Sequence, residues 1–280
     1  MKEHTSVMLA EVLEQLAPKK GELVVDATFG RGGHTKALKK PGVKIISIDA
    51  DPAAKADIEG NFGDIKNLLK ESLPAGGQVN KVLFDLGWNM TQLDSGRGFS
   101  FMHDEPLLMS YSPEPRSGFS AAEMLNTWSE KVLADVFFGY AEERYARRIA
   151  KAIVERRKVK PFETTVELAE VVRDAVPARA RHGRIHPATK VFQALRIAVN
   201  DELRVLESGL NGAWVLLAPD GRMAVITFHS IEDRLVKNLF KKFAAEGGRI
   251  ITKKPLVPTA HEVATNPAAR SAKMRVIQKV

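Results

Sequence analysis

The chain of 280 residues contains no cysteine. This absence excludes disulfide bonds, thiolate nucleophiles and cysteine-ligated zinc or iron–sulfur sites. The sequence also lacks any stretch of roughly 20 apolar residues, the length that a membrane-spanning helix requires. Near the N-terminus, Glu3, Glu11 and Glu14 interrupt the apolar core that a signal peptide needs. We therefore expect a cytoplasmic protein that does not bind a membrane.

Two phosphate-binding patterns are missing from the glycine-rich turn "DATFGRGGHT" (26–35). It has no Gly-Lys-Ser/Thr, which argues against a phosphate-cradling P-loop, and it is not a full G-x-G-x-x-G. A glycine turn alone is weak support for a cofactor site. The charge is more informative, because Lys+Arg 42 against Asp+Glu 34 gives a net +8. That surplus favours an anionic partner such as nucleic acid, although it also fits a merely soluble cationic protein.

Short apolar segments predict an α/β domain. Three of them read as strands, at Leu23–Thr28, Val43–Asp49 and Lys81–Gly87. They are continuously apolar rather than alternating, as a parallel sheet covered on both faces requires. An apolar stripe before the first strand predicts a helix capped by Thr5 or Ser6. Strand, glycine turn, helix and strand together indicate a doubly wound α/β sheet.

The middle of the chain departs from this rhythm. From about residue 104 to residue 211 we find helical patterns and no convincing strand. Strand character returns at Gly221–Ser230, after a Pro-Asp-Gly turn, and a helix is predicted to follow at Ile231–Phe243. The sequence therefore predicts an α/β domain made of residues 1–103 and 212–280, with an inserted all-helical domain at 104–211.

Carboxylates end the first three predicted strands, at Asp26, Asp49 and Asp85. Asp49 lies about 20 residues beyond the glycine turn, where an acidic residue can accept both hydroxyls of a ribose. Asp51 directly precedes Pro52 and is better explained as a helix N-cap. Three adjacent carboxylates would repel one another in an empty crevice. A cationic, donor-rich cofactor such as S-adenosylmethionine would relieve this repulsion, whereas the pyrophosphate of NAD would fit poorly.

Basic residues suggest where an RNA would bind. Arg97 lies in a glycine-rich loop with Phe99 and Phe101, which either holds a base by stacking or is an ordered lid. A basic run farther along reads as a phosphate-contacting face or as a solvated helix start, and it contains Arg179, Arg181, Arg184, Lys190 and Arg196. His229, at the end of a predicted strand, either faces the pocket or is structural.

Several motifs together resemble one family, the bacterial 16S rRNA cytosine-N4 methyltransferases of the RsmH (MraW) type. The motifs are "HTSVML", "DATFGRGGHT", "DLGWNMTQLD", "RGFSF", "HPATKVFQALRIAVNDEL", "TFHSIEDR" and "NPAARSAKMR". They run in order from His4 to Arg275, so the resemblance covers nearly the whole chain. Because several of them are long and unusual, chance agreement is implausible.

The resemblance implies a class I (Rossmann-like) S-adenosylmethionine-dependent methyltransferase fold with a helical insertion that recognises rRNA. The implied reaction transfers a methyl group to the N4 amine of a cytosine in the decoding region of 16S rRNA, within the small ribosomal subunit, without a metal ion. The family's cofactor contacts fall on Gly32, Gly33, His34, Asp49, Phe62, Asp85 and Gln92. Asp85 and the loop at Asp94 are candidates for the catalytic acceptor of the amine hydrogen bond. The oligomeric state stays open, with a homodimer among the alternatives.

Only ten residues separate Asp51 from Phe62, where the family usually carries a longer helix and a further strand. Two other segments differ from the family pattern in their residues. Asn89-Met90 replaces the usual two serines, and Leu107–Tyr111 ("LLMSY") replaces the usual "LDMRM". These differences keep a second hypothesis open, in which the chain is a non-catalytic RNA-binding factor for ribosome assembly that retains the fold. A generic α/β oxidoreductase is a weaker alternative, because the crevice is rich in carboxylates.

Overall fold

The computed structural model describes residues 5–73, 76–87, 95–112, 115–181, 183 and 185–280. The chain divides into two compact units. One unit consists of Met1–Gly87 and Leu203–Val280, and the other is Trp88–Glu202. The first contains the sheet and is called the sheet unit below; the second is called the helical unit.

The sheet unit is built on seven strands in the order β3-β2-β1-β4-β5-β7-β6. The strands are β1 Leu23–Asp26, β2 Lys44–Asp49, β3 Ile58–Glu59, β4 Val79–Asp85, β5 Leu217–Thr227, β6 Gly248–Ile250 and β7 Lys273–Lys279. The first five in this spatial order are parallel, and β7 runs antiparallel to both β5 and β6. The predicted doubly wound α/β fold is confirmed.

The continuous apolar pattern of the strands has the expected cause, which β4 shows most clearly. Val82 and Phe84 belong to the core on one face of the sheet, and Leu83 belongs to the core on the other. All three side chains are essentially inaccessible to solvent. A strand covered on both faces has no position for a solvated side chain, so the sequence does not alternate.

Helices of the sheet unit connect the strands and cover the two faces. They are α1 Leu9–Leu16, α2 Gly33–Leu38, α3 Ile65–Leu68, α10 Glu202–Leu216, α11 Ser230–Ala245 and α12 Ala260–Thr265, with α10 beginning at the last residue of the helical unit. The predicted side-chain cap of α1 is wrong. Met8 occupies the N-cap position without a side-chain bond, and its backbone N–H donates to Glu262 Oε1 at 2.6 Å.

The helical unit has its own apolar core. Its helices are α4 Ala121–Thr127, α5 Glu130–Ala141, α6 Ala146–Arg156, α7 Thr165–Ala175, α8 Ala178–Arg181 and α9 Ala188–Asn200. Phe137, Ile149 and Leu195 lie at the centre of this core and are fully buried. Within the part of this unit that the structure describes, no strand is assigned, and one isolated bridge joins Pro106 to Thr164.

Both unit boundaries lie earlier in the chain than the predicted residues 104 and 211. Phe99 belongs to the core of the helical unit and stacks on Tyr111 at 5.3 Å, which assigns the loop before residue 104 to that unit. At the other end, Leu206 and Leu210 of α10 belong to the core of the sheet. Among the described residues, no helix is both long and apolar enough to cross a membrane.

Candidate functional site

Neighbouring strands bring the predicted carboxylates to one edge of the sheet. β1 lies between β2 and β4, and the three strands are parallel. Their carboxyl ends therefore meet at the edge where open α/β sheets bind ligands. Asp26, Asp49 and Asp85 are the last residues of these strands.

The glycine turn after β1 is fastened to β2. The N–H of Phe29 donates to the carbonyl of Ile48 at 3.0 Å, and the N–H of Gly30 donates to Asp49 Oδ2 at 2.7 Å. Gly30 has φ +56° and open space where a Cβ would lie. The turn therefore runs across the end of β2 and leaves the side of Gly30 open.

Gly32 and Gly33 have local packing reasons to lack a side chain. Gly32 has φ +72°, and a Cβ there would lie 2.7 Å from the ring of Phe29. A Cβ on Gly33 would lie 2.0 Å from Ser6 Oγ, closer than atoms approach in proteins. These contacts fix the shape of the turn, in which Gly33 begins α2. The expected close approach of a cofactor to this backbone stays a prediction.

Asp49 retains unused hydrogen-bonding capacity. Its Oδ1 accepts the N–H of Asp51 at 2.8 Å, and its Oδ2 accepts the N–H of Gly30. Each carboxylate oxygen has a second lone pair, and the side chain is partly exposed. Both oxygens can therefore accept a further hydrogen bond, as a vicinal diol would require. Asp51 caps the short 3-10 helix Pro52–Ala54 by accepting the N–H of Ala53, so its predicted role as a cap is confirmed.

The expectation that three carboxylates share the crevice is wrong, because Asp26 is buried beneath the glycine turn. Asp26 is 1% exposed, and its oxygens accept the hydroxyl of Thr35 at 2.7 Å and the N–H of Thr28 at 3.3 Å. Burial raises the pKa of this carboxyl above its usual value, and the hydrogen bond from Thr35 opposes the shift. Asp26 thus braces the glycine turn from within, and the accessible carboxylates are Asp49 and Asp85.

Asp85 faces a buried histidine. Its Oδ2 lies 3.3 Å from Nε2 of His34, and its Oδ1 accepts the N–H of Gly87 at 3.2 Å. His34 is 5% exposed, and neither ring nitrogen makes a hydrogen bond of good geometry to any described residue. A buried imidazole with no well-aligned hydrogen bond beyond this carboxylate contact is costly, so this geometry suits a polar group bound beside it.

A residue that sequence reasoning missed holds the two strand ends together. Thr28 Oγ1 accepts the backbone N–H of Asp85 at 2.6 Å, which ties the end of β4 to the turn after β1. The sequence offered no signal for this contact, because a threonine in a loop is common. This hydrogen bond fixes the backbone of Asp85 at the point where the chain leaves the sheet.

Phe62 lies in the 3-10 helix Phe62–Asp64 and is partly buried. Its ring meets Phe84 edge-on at a centroid distance of 5.6 Å. Gly209 of α10 leaves room for it, since a Cβ there would lie 2.8 Å from the Phe62 ring. Packing of this kind positions the ring, and its predicted contact with a cofactor stays a prediction. Gln92, Asp94 and Arg184, which the sequence analysis also singled out, lie outside the described residues.

The predicted RNA-contacting residues occupy different environments in the helical unit. Arg97 donates through Nη1 to the carbonyl of Tyr111 at 2.6 Å, which favours an ordered loop. Arg181 folds back on the carbonyls of Asp174 and Val176, at 3.0 and 3.3 Å. Lys190 is exposed and donates to the carbonyl of Glu142 at 3.0 Å.

Arg196 does not belong to a surface that contacts phosphates, which corrects the sequence interpretation. It is 5% exposed, and two of its guanidinium nitrogens lie 2.7 and 2.8 Å from the two carboxylate oxygens of Glu202. Tyr111 also donates to Glu202, at 2.9 Å. A guanidinium enclosed in this way is occupied by its partner and cannot reach an RNA.

His229 caps a helix of the sheet unit. It is the N-cap of α11, where its Nδ1 accepts the N–H of Glu232 at 3.3 Å. The Glu232 carboxylate reaches back to the N–H of His229 at 3.3 Å, so the pair forms a capping box. Of the two interpretations offered for His229, the geometry favours the structural one.

Comparisons with known proteins agree over the whole chain. The family model described as the MraW methylase family matches residues 1–280. A protein of Deinococcus deserti named ribosomal RNA small subunit methyltransferase H is 45% identical, covering 99% of this chain and 93% of its own length. Proteins of the same name from Treponema denticola and Carboxydothermus hydrogenoformans are each 44% identical over 99% of this chain, covering 97% and 98% of their own lengths.

Proposed function

The chain belongs to the MraW methylase family, and we propose that it methylates the N4 amine of a cytosine in 16S rRNA, with S-adenosylmethionine as methyl donor. The observation that carries this proposal is the carboxyl edge of the sheet. There the partly exposed Asp49 keeps acceptor capacity on both oxygens, and the Asp85 carboxylate lies 3.3 Å from the buried imidazole of His34. Relatives that are 44–45% identical and carry the name rRNA small subunit methyltransferase support the reaction class.

The described residues fit the cofactor in three respects. Asp49 can accept both ribose hydroxyls, as its two remaining lone pairs allow. The open side of Gly30 leaves space along the turn, and Asp85 supplies a negative charge suited to an ammonium or sulfonium group. Gly32, Gly33, His34, Phe62 and Gln92 complete the proposed contact set. When bound, the sulfonium would supply an activated methyl group with a neutral thioether as leaving group, and the proton lost by the methylated amine would pass to the carboxylate that accepts its hydrogen bond or to water.

The protein's contribution to the reaction is alignment and hydrogen bonding. The cytosine amine is a poor nucleophile, because its lone pair is delocalised into the ring. A hydrogen bond from the amine to Asp85 localises that lone pair as attack proceeds. The strand-end position of Asp85 is fixed by its backbone bond to Thr28, so the acceptor is already in place before the base arrives. The base itself must be unpaired or flipped to reach this edge.

The helical unit is proposed to recognise the rRNA. Arg179 and Lys190 are exposed on it, and the chain as a whole carries a net charge of +8. Exposed cations of this kind bind phosphates with a strong dependence on salt. Acting on the small ribosomal subunit would place the protein in the cytoplasm.

The direct test is nucleoside mass spectrometry of 16S rRNA after incubation with the protein and isotopically labelled S-adenosylmethionine. We expect one labelled N4-methylcytosine, absent when the protein is omitted. RNA binding without labelled product would instead support the non-catalytic assembly factor. Binding of a nicotinamide cofactor, measured by titration, would support the oxidoreductase.

A further inference from the structure

A concave surface lies in the sheet unit, where β5 ends and β7 begins. It is a cleft of about 360 Å³ that lies against the first turn of α11. Phe228, Val257 and Val263 supply its apolar wall, and Arg270, Ser271 and Lys273 supply its polar wall. The polar wall belongs to the "NPAARSAKMR" segment, to which the proposed function assigns no role.

The charge of this cleft is positive and largely uncompensated. No carboxylate lines it, and Arg270 is exposed without an ion pair to any described residue. Lys273 has one acidic neighbour, Asp233, at 3.9 Å. That carboxylate already accepts two hydrogen bonds from Arg275, at 2.7 and 3.0 Å. The two cations of the cleft are therefore available to an anion from outside the unit.

The cleft lies close to Asp85 along the same edge of the sheet. Asp85 is paired with Ile226 on β5, and the next β5 residue, Thr227, is paired with Lys273 on β7. With roughly 4.8 Å between neighbouring strands, the backbone of Lys273 lies about 10 Å, two strand spacings, from the end of β4. A distance of this order suits a phosphate that flanks a nucleotide bound at Asp85.

The side chain of Phe228 lies between the cleft and the chain that follows Asp85. Its ring lines the cleft and also lies against Gly87, where a Cβ would be 3.0 Å from Phe228 Cζ. The ring is partly exposed. An aromatic face beside paired cations is a common arrangement for a nucleotide, because the ring stacks on a base while the cations bind the phosphate.

We propose that this cleft is an RNA subsite, in which Arg270 and Lys273 bind a phosphate of the strand next to the target nucleotide. This inference rests on the proposed function, because that function supplies the RNA strand and its position. The same two cations would also attract a carboxylate or free phosphate, so the test separates binding of RNA from binding of the cofactor.

The test compares two variants of the full-length protein that lose the same charge. One carries Arg270→Gln and Lys273→Gln; the control carries Lys241→Gln and Lys242→Gln, which change exposed residues near the other end of α11. Affinity for a short fluorescein-labelled single-stranded RNA is measured by anisotropy over a range of salt concentrations. Calorimetry measures S-adenosylmethionine affinity, and thermal melting checks the fold.

We expect the cleft variant to bind the RNA about five-fold more weakly per lost contact at 0.1 M salt, with a shallower salt slope by about 0.7 per contact. Cofactor affinity and melting temperature should match the control. Equal losses of RNA affinity in the two variants, or no loss in either, would overturn the inference. So would a loss of cofactor affinity confined to the cleft variant, because the cations would then serve the cofactor. A wild-type protein that binds RNA through these residues but forms no methylcytosine would contradict the proposed function alone.

Discussion

Replacing Asp49 with alanine is the sharpest test of the proposed cofactor site. The substitution removes two acceptors that the structure shows to be in use, for the N–H groups of Gly30 and Asp51. It also removes the two remaining lone pairs proposed for the ribose hydroxyls. The variant is therefore expected to affect both the glycine turn and cofactor affinity, and the two effects are measured separately.

The magnitude follows from the kind of hydrogen bond lost. A bond to a charged acceptor contributes about 1.5–3 kcal/mol. Losing one bond to the ribose corresponds to about 10- to 150-fold weaker binding, and losing both gives more. The freed N–H groups of Gly30 and Asp51 lie near a partly exposed side chain and can bind water. We therefore expect Asp49→Ala to lower stability by only about 1–2 kcal/mol.

Two further variants show whether the loss of cofactor affinity is specific to the Asp49 carboxylate. Asp49→Asn keeps one acceptor oxygen but turns an amide donor toward the other partners, so its affinity should fall between those of Asp49→Ala and the wild type. Asp51→Ala is the matched control, because it removes a neighbouring carboxylate that caps only the 3-10 helix at Pro52. Calorimetric titration with S-adenosylmethionine below the melting temperature measures each affinity. Wild-type affinity in a folded Asp49→Ala variant, or an equal loss in Asp51→Ala, would refute the assignment.

Three other substitutions test the roles of Asp85, Asp26 and Arg196. Asp85→Asn should raise the cofactor KM, and an acceptor role would also lower kcat by about 10²-fold; full activity and affinity in the folded variant would remove Asp85 from the site. Asp26→Asn should be more stable relative to the wild type at pH 7 than at pH 4, because the raised pKa makes the charged form of the wild-type carboxyl costly only at higher pH; a stability difference that does not vary with pH in urea titrations would contradict this. Arg196→Ala should cost about 1.5–3 kcal/mol, because it removes the charged partner of the partly buried Glu202, which then keeps the hydrogen bond from Tyr111, with unchanged RNA affinity of the folded fraction; selective loss of RNA binding would restore its surface role.

The main features of the sheet unit were predictable because local sequence determines them. A strand buried on both faces is a continuous apolar run, and a carboxylate at its end marks the edge where the chain leaves the core. Asp49 and Asp85 were found by this logic, and the structure brings both to one edge. Asp51 was identified as a cap because an acidic residue before proline has a local partner two residues later.

Features that depend on distant contacts were not predictable in this way. The start of α1 is fixed by Glu262, a residue 254 positions away in the chain. Asp26 ends a strand as Asp49 does, but Thr35 draws its carboxylate inward and the crevice loses one charge. No local sequence pattern distinguishes Asp26 from Asp49 and Asp85. The difference is the hydroxyl of Thr35, which the glycine turn places within hydrogen-bonding distance of Asp26.

Arg196 and Arg270 show the same limit for cations. Both stand in motifs that resemble the family, and sequence reasoning chose Arg196 because it belongs to a basic run. The backbone at Asp201 adopts the left-handed conformation, with φ +51°, between the end of α9 and Glu202 at the start of α10. That break allows Glu202 to pair with Arg196, a contact that regular helical spacing would not predict. Arg270 has no such partner among the described residues and stays exposed beside a cleft, a difference that charge density along the chain does not reveal. A cation is available to an RNA phosphate only where the fold has not already paired it closely with a carboxylate.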